Sequence, residues 1–394
     1  MYIWQQNQSR LCRRWFFGPS RAGAGESRRG AVSVSPGIGL LQMNEGNKIT
    51  INDVARAAGV SKGTVDRVLH NRGEVSVKSR EKILKVIEDL GYRPNFYASI
   101  LASRKNYTIS CIIPEFNGGE FWELTEKGID QGREYAGRFG ISINAVMYDQ
   151  YDLDSFQSAC AKVLASDPSG VVIAPMFRNE TLKFAKELSE RHVPYVYIDS
   201  KLEEDGYLAY YGMPMYQSGY LCADILTDER EVRKVHIIRI ARDKRGLSDP
   251  TVTRRTGLID YISEHYPDCR IENTFIDPKD REDRYRKLDE MFAADPDPVK
   301  YIVMCNSRVH FVADYLRDRG IRTCRVVGFD VLDRNLAALR DGYVQALIAQ
   351  HSDRQAASAI TAITDYLILH TVPQKKDNYT QMDILNKYNC DYYI

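Results

Sequence analysis

The chain lacks any Cys-x-x-Cys pair, although its eight cysteines are spread from Cys12 to Cys390. Without such pairs neither a zinc ribbon nor a disulfide scaffold is expected. Several of these thiols sit in apolar runs, as in Ile109-Ser-Cys-Ile-Ile113, and read as reduced, buried groups of a cytoplasmic protein. No apolar run approaches the roughly 18 residues that span a bilayer. The first 42 residues hold no apolar stretch of the secretory-signal type. Catalytic signatures are missing too: there is no Gly-x-x-x-x-Gly-Lys-Ser/Thr loop, no His-x-x-x-His pair and no Gly-x-Ser-x-Gly elbow. No cofactor and no metal are therefore expected, and no enzyme. Nor is there a net excess of charge, which is +1 over 394 residues.

What is present begins at Ile49. Val54, Ala55 and Ala58 recur at helical spacing and make one face small and apolar. Gly59 stands where that helix must stop, since a residue without Cβ accepts the left-handed cap. Ser61 follows as an N-cap for a second helix, whose Val65, Val68 and Leu69 face the first. Lys62, Gly63, Asp66 and Arg67 are left on the outer face. Two short helices around such a turn form a helix-turn-helix, with the second helix suited to a DNA major groove. On these residues alone an ordinary helical hairpin stays open. A third helix is expected over Val77–Leu90, with Val77, Ile83, Val86, Ile87 and Leu90 as its apolar set and Gly91 as its end.

The run from Ile49 to Ala102 carries Asp-Val-Ala, Ala-Gly-Val-Ser, Thr-Val-x-Arg-Val, Val-Ser-x-x-x-Arg-Glu-Lys-Ile and Gly-Tyr-x-Pro-Asn in order, without a gap. It closely resembles the headpiece and hinge of the lactose-repressor (LacI/GalR) family of bacterial transcription regulators. The resemblance implies DNA contacts from Ser61, Lys62, Gly63, Thr64, Asp66, Arg67, Asn71, Asn95 and Leu101. Lys62, Gly63 and Arg67 match positions that read bases. Leu101 matches an apolar wedge pushed into the minor groove. Residues 95–103 match a hinge too short to be a stable isolated helix, expected to be helical only on DNA.

Charge is segregated along the chain. Residues 48–105 hold twelve Lys or Arg against six Asp or Glu, whereas residues 106–394 carry a net charge of −9. A small basic module joined to a large acidic one fits phosphate-directed binding by the first. Residues 1–47 are expected as a disordered tail, aromatic and Arg-rich and then Gly-, Ser- and Pro-rich, with Met43 the expected native start. A basic tail adding nonspecific DNA affinity is the alternative. The expected organisation is therefore tail 1–47, headpiece 48–93, hinge 94–105, and a two-lobed effector-binding and dimerisation domain 106–394.

Beyond Lys105, short β-branched or aromatic runs alternate with helical stretches. Expected strands are 107–116, 141–148, 171–177 and 193–199, and after Leu208 a second series at 235–240, 273–276, 301–305 and 325–329. Runs apolar on both faces between helices indicate a parallel sheet covered on each side. Two such series give an α/β architecture of two lobes with a cleft suited to a small ligand. The region resembles the periplasmic sugar-binding-protein fold, closest to ribose-type proteins. By position, Phe121, Trp122, Asp199, Arg254, Asn306, Asp330 and Gln350 match residues that hold sugar in that family. Aromatic faces suit the C–H side of a sugar ring, and carboxylate, guanidinium and amide groups suit its hydroxyls. Asp199 and Asp330 read equally well as helix N-caps, and Phe121 and Trp122 as packing core. Ser307 stands where many relatives have Asp, which leaves the particular sugar open.

Together these features describe a DNA-binding transcription regulator, a repressor controlled by a sugar or sugar derivative in the interlobe cleft. Its expected partners are operator DNA of approximately palindromic sequence, the effector, and a second copy in a homodimer, with no membrane. The expected sign of the coupling is induction, with corepression the alternative. An exported sugar-binding receptor and a carbohydrate-acting enzyme, the latter suggested by His310 near Cys305, are the competing classes.

Overall fold

The computed structural model describes residues 49–69, 75–92, 106–203, 206–228, 230–240 and 251–393. The tail, Met43, Asn71, Asn95, Leu101 and the hinge segment lie outside the described residues. The chain divides between Arg93 and Pro94 into two units.

The described residues of the smaller unit form three helices, α1 (Ile51–Ala58), α2 (Lys62–Leu69) and α3 (Val77–Leu90). Local chemistry sets their ends. The Thr50 N–H donates to Asp53 Oδ2 at 2.9 Å, closing the first turn of α1. Gly59, at φ 64°, ends that helix, with Val60 N–H returning to the Ala55 carbonyl at 3.0 Å. Ser61 Oγ accepts from the Thr64 N–H at 3.1 Å and opens α2. Gly91, at φ 60°, repeats the same stop for α3, and Tyr92 folds back into the core. That core is Val54, Ala55, Ala58, Val65, Val68, Ile83 and Tyr92. Val77 does not join it: it is 73% exposed, because the first residue after the Ser76 N-cap points away from α1 and α2.

The larger unit contains two six-stranded sheets. The first lobe has β1 (Thr108–Pro114), β2 (Ser142–Tyr148), β3 (Gly170–Ile173), β4 (Tyr195–Asp199) and β5 (Ala209–Gly212), covered by α4 (Phe121–Gly137), α5 (Leu153–Ala165) and α6 (Arg178–Glu190). The second lobe has β6 (Lys234–Ile240), β7 (Arg270–Ile276), β8 (Lys300–Met304), β9 (Cys324–Phe329) and β10 (Ala346–Ala349). Its helices are α7 (Met215–Thr227), α8 (Val252–His265), α9 (Arg281–Ala294), α10 (His310–Asp318) and α11 (Asp333–Arg340). The chain then returns: α12 (Ser352–Leu369) and β11 (Asp377–Tyr379) join the first lobe, and β12 (Asp383–Leu385) joins the second. Strand orders are β11-β5-β4-β3-β1-β2 and β12-β10-β9-β8-β6-β7. Among the described residues all strand pairings are parallel except β10 with β12.

The second series does not begin directly after Leu208, as the sequence suggested. Ala209–Gly212 pairs with β4 in parallel and completes the first sheet. A four-residue run shows no preference between sheets until its neighbour is in place. The chain therefore crosses between lobes three times, at residues 213–214, 350–351 and 380–382. The crossings are tied together: the Thr380 N–H donates to the Gly212 carbonyl at 2.8 Å, and Gln355 Nε2 and Thr380 Oγ1 both donate to the Gln350 carbonyl, at 2.7 and 3.0 Å. Both sheets point their carboxyl ends at this seam, the place where open parallel sheets hold ligands.

Candidate functional site: an interlobe cleft and a helix-turn-helix face

A cavity of about 760 Å³ lies between the lobes and collects all seven sequence-predicted effector residues. From the first lobe come Phe121, Trp122 and Asp199; from the second and the seam come Arg254, Asn306, Asp330 and Gln350. Phe121 and Trp122 open α4 and meet edge to face at 4.9 Å between centroids. They serve both readings, since they belong to the first-lobe core and also line the cavity.

The two aspartates occupy equivalent places. Asp199 ends β4 at φ 63°, and Asp330 follows β9 at φ 72°. A left-handed residue bends the chain away from the strand, and Asp tolerates that conformation better than most side chains. Neither caps a helix: α11 is entered through Leu332, and β4 is followed by a loop. The bend at Asp199 is held by Gln355 Oε1, which accepts its N–H at 3.1 Å, and by Tyr210, whose hydroxyl donates to its carbonyl at 2.9 Å. The Asp330 N–H donates to the Ile348 carbonyl at 3.0 Å.

Arg254, in the first turn of α8, is the most heavily constrained group. Nε donates to Ser218 Oγ at 3.0 Å, Nη1 to the Cys305 carbonyl at 2.6 Å and Nη2 to Gln350 Oε1 at 3.3 Å. Its guanidinium lies 3.9 Å from the centroid of Phe329. An arginine held on three sides and stacked on a ring is preorganised for a fork of hydrogen bonds. Burial pushes the Asp330 carboxyl up to about 7, Arg254 pulls it down, Asp199 pushes it up, and a hydrogen bond from Gln350 lowers it. At neutral pH this group therefore stands between accepting and donating, a useful property toward hydroxyls.

Several contributing residues carried no signal in the sequence. Asn335 is buried in α11 and staples the loops after β8 and β9. Its Nδ2 donates to the carbonyls of Ser307, Phe329 and Asp330 at 2.8, 3.1 and 3.1 Å, and its Oδ1 faces His310 Nδ1 at 2.8 Å. His310 is thus engaged as part of that staple, and burial lowers its pKa to about 4. The cavity wall also includes Asn117, Tyr151, Arg284 and Arg308. Contacts reach across the cleft: Arg308 Nη2 lies 3.6 Å from Glu120 Oε1, and Lys279 Nζ 5.4 Å from the Tyr151 centroid. Arg308 lies two residues beyond Asn306, whose Oδ1 accepts the Arg308 N–H at 3.0 Å. That polar turn was the one available hint; Arg284, on a helix far from any strand end, offered none.

In the smaller unit, Ser61, Lys62, Gly63 and Arg67 are exposed on α2, with Thr64 and Asp66 partly buried. Val65 and Val68 hold the opposite face in the core. This leaves the opening turn of α2 as an exposed, polar face. Among the described residues no helix is long and apolar enough to cross a membrane, and no cluster of His, Cys, Asp or Glu is suited to a metal.

Comparison with known proteins agrees with this arrangement. Residues 109–369 match the periplasmic binding protein domain, and residues 50–95 match the model of bacterial regulatory proteins, lacI family. Catabolite control protein A of Streptococcus mutans is 35% identical over 154 residues, 39% of this chain and 44% of that protein. The chain thus spans less than half the length of the curated relatives it matches first. The crystal structure of a candidate LacI transcriptional regulator from Bacteroides fragilis is 33% identical with a TM-score of 0.69, covering 74% of this chain and all of that one. GanP, a glucose-galactose binding protein from Geobacillus stearothermophilus, shares the fold at 18% identity and a TM-score of 0.62, over 73% of this chain and 99% of its own. The chain belongs to the lacI family of bacterial regulatory proteins, with a lacI-type helix-turn-helix followed by a periplasmic-binding-protein domain.

Proposed function

We propose that the protein is a cytoplasmic, homodimeric transcription repressor whose operator affinity is set by a sugar or sugar derivative in the interlobe cleft. The observation that carries this reading is the composition of the cavity floor. Asp199, Arg254, Asp330 and Gln350 come from both lobes and from the seam between them, so a ligand touching all four holds the lobes in one relative position. Curated relatives named as regulators, among them a ribose operon repressor from Lactococcus lactis, support the same role. Two headpieces of a dimer would read the half-sites of an approximate palindrome.

DNA contacts are assigned to Ser61, Lys62, Gly63, Thr64, Asp66 and Arg67, together with Asn71, Asn95 and Leu101 outside the described residues. Lys62 and Arg67 suit guanine O6 and N7, and each good pair is worth about 1–3 kcal/mol of discrimination. Because linkage is reciprocal, an effector that favours the weak-binding state must itself bind less tightly when operator is present. Induction is the sign proposed.

The test is operator affinity against sugar concentration in wild type, Asp330→Ala, Lys62→Ala and Arg67→Ala. Asp330→Ala should keep operator binding and lose the response. Lys62→Ala and Arg67→Ala should change the preferred bases. An unaltered response in Asp330→Ala, or unaltered base preference in both headpiece variants, would overturn the respective assignment.

A further inference from the structure

The floor of the cavity is balanced in charge, but its second-lobe wall is not. Three guanidinium groups stand near Phe311 and His310. Arg284 lies 4.2 Å and Arg308 5.9 Å from the Phe311 centroid, and Arg334 is close enough to repel Arg284 and His310. Two of the three are answered by carboxylates: Arg308 by Glu120 at 3.6 Å and Arg334 by Asp314 at 2.5 Å. Arg284 is different. Among the described residues no carboxylate pairs with it, and only its Nη1 is engaged, donating to the carbonyls of Asp277 and Pro278 at 3.1 and 3.0 Å. An arginine has five donors, so its Nε and Nη2 remain for a ligand. Packing on Phe311 and the two carbonyl bonds hold the group in place beforehand.

We propose that the effector is an anionic carbohydrate, a sugar bearing a phosphate or a carboxylate, whose charged group docks on Arg284 and Arg308 while its hydroxyls meet the floor. The inference rests on the reading of this cavity as the effector site. A planar guanidinium fork matches two oxygens of either oxyanion, and such charge-assisted bonds are about twice as strong as neutral ones. The Arg308–Glu120 contact, longer than a hydrogen bond, leaves Arg308 able to turn to a ligand oxyanion. Burial already disfavours the charged form of Arg284, a penalty that an anion would offset and a neutral sugar would not. Asp277 and Asp280, the second-lobe acids that act on Arg284, do so from beyond ion-pair distance, and Asp314 is taken up by Arg334. Asp330, with its raised pKa, limits the negative charge that the floor presents to an incoming anion.

The competing explanation is that Arg284 merely covers Phe311, and binding by the full chain separates the two. The probes are glucose, galactose and ribose against glucose 6-phosphate, ribose 5-phosphate, glucuronate and galacturonate, measured by titration calorimetry and by operator release, with inorganic phosphate as control. At least one charged sugar should bind tenfold or more tightly than its neutral counterpart, with an affinity that falls as salt rises. Arg284→Met should collapse that ratio, and Arg284→Lys should restore part of it. The phosphate and carboxylate arms show which oxyanion is preferred. Should neutral sugars bind and release operator while charged ones do not, or should the ratio survive both substitutions, the anionic assignment is wrong and the cleft reading stands. If no probe binds or alters operator affinity, both are overturned.

Discussion

The two lobes have the same scaffold and opposite chemistry. Each is a parallel sheet wound in the same order, and each receives one extra strand from the end of the chain. Even the direction of that strand follows from the seam. β11 reaches the first lobe after the long helix α12 and runs toward the seam beside β5, in parallel. β12 enters the second lobe directly from the seam and must run away from it, antiparallel to β10. The inner faces, by contrast, share little beyond the aspartates at equivalent strand ends. The first lobe offers an aromatic pair with Glu120 and Asp199; the second offers Arg254, Arg284 and Arg308 with Asn306 and Asp330. The fold decides where a ligand can sit, and the loops after the strands decide what it can be.

The two lobes also share a packing device. In the first, a Cβ on Gly128 of α4 would fall 2.0 Å from the Asp353 carbonyl oxygen of α12. In the second, a Cβ on Gly219 of α7 would fall 1.7 Å from the Arg254 carbonyl oxygen of α8. Backbone cannot give way as a flexible side chain can, so Gly219→Ala should cost about 3 kcal/mol, the upper part of the range for overpacking. It should also misplace Arg254 and abolish effector binding. Gly128→Ala should destabilise comparably but weaken binding less, since α12 touches the floor only through Gln355 and the seam. Denaturant unfolding together with calorimetry checks both. A Gly219→Ala protein as stable as wild type would mean the helices are not in backbone contact.

The next largest effect separates the contributions of the lobes. Arg254→Met removes a group bonded to Ser218, Cys305 and Gln350 and leaves their acceptors unpaired, so effector affinity should fall by about 2 kcal/mol or more. Asp199→Asn keeps one acceptor and adds a donor, and should cost about 1 kcal/mol. Operator binding without effector should persist in both. If Asp199→Asn proved the more damaging, the first lobe would dominate recognition.

Asp330 allows a pH test. Its folded pKa, about 7, exceeds the ordinary 3.8, so the folded state holds the proton more tightly than the unfolded chain. Between pH 4 and 7 the unfolded carboxyl is ionised while the folded one is not. This group therefore makes stability fall as pH rises through that window, with no further loss above it. Asp330→Asn should flatten that component of the effector-free stability curve. A slope unchanged by the substitution would place the titrating group elsewhere.

The smallest effect is expected at the mouth. Glu120→Gln removes the 3.6 Å contact to Arg308. A single partly buried contact of this length is worth about 1 kcal/mol or less, so stability should barely move. Affinity for an anionic sugar should rise slightly, because Arg308 no longer has a competing carboxylate. A weaker affinity would show that Glu120 belongs to the ligand site.

Much of this molecule was legible before any coordinates. Gly59, Ser61 and Gly91 mark helix ends because capping involves residues three to five apart, and that chemistry is written locally. Most strands could be placed from their β-branched and aromatic runs, and Asp199, Asn306, Asp330 and Gln350 could be singled out because they follow such runs. Val77 was misjudged because periodicity does not reveal that a first-turn residue lies beyond the reach of its neighbours. Ala209–Gly212 was not among the expected strands and fell beyond the boundary drawn at Leu208, because four residues carry no label for the sheet they will join. Arg284 and Asn335 were invisible, being ordinary helical residues whose meaning comes from carbonyls in the loops before their helices and from distant groups, Phe311 for Arg284 and Ser307 and His310 for Asn335.

By itself, then, the amino-acid order determined the two modules, the helix-turn-helix, the alternation that yields parallel sheets, and the family to which they belong. Those properties depend on interactions within a few residues of the chain or on the period of apolar side chains. Tertiary structure alone decided that the chain crosses the seam three times, that both lobes aim their strand ends at one cavity, and that Arg284 stands there with no ion-paired carboxylate among the described residues. Each of these is a relation between distant segments, and no local pattern encodes which distant group will be near or which will be missing.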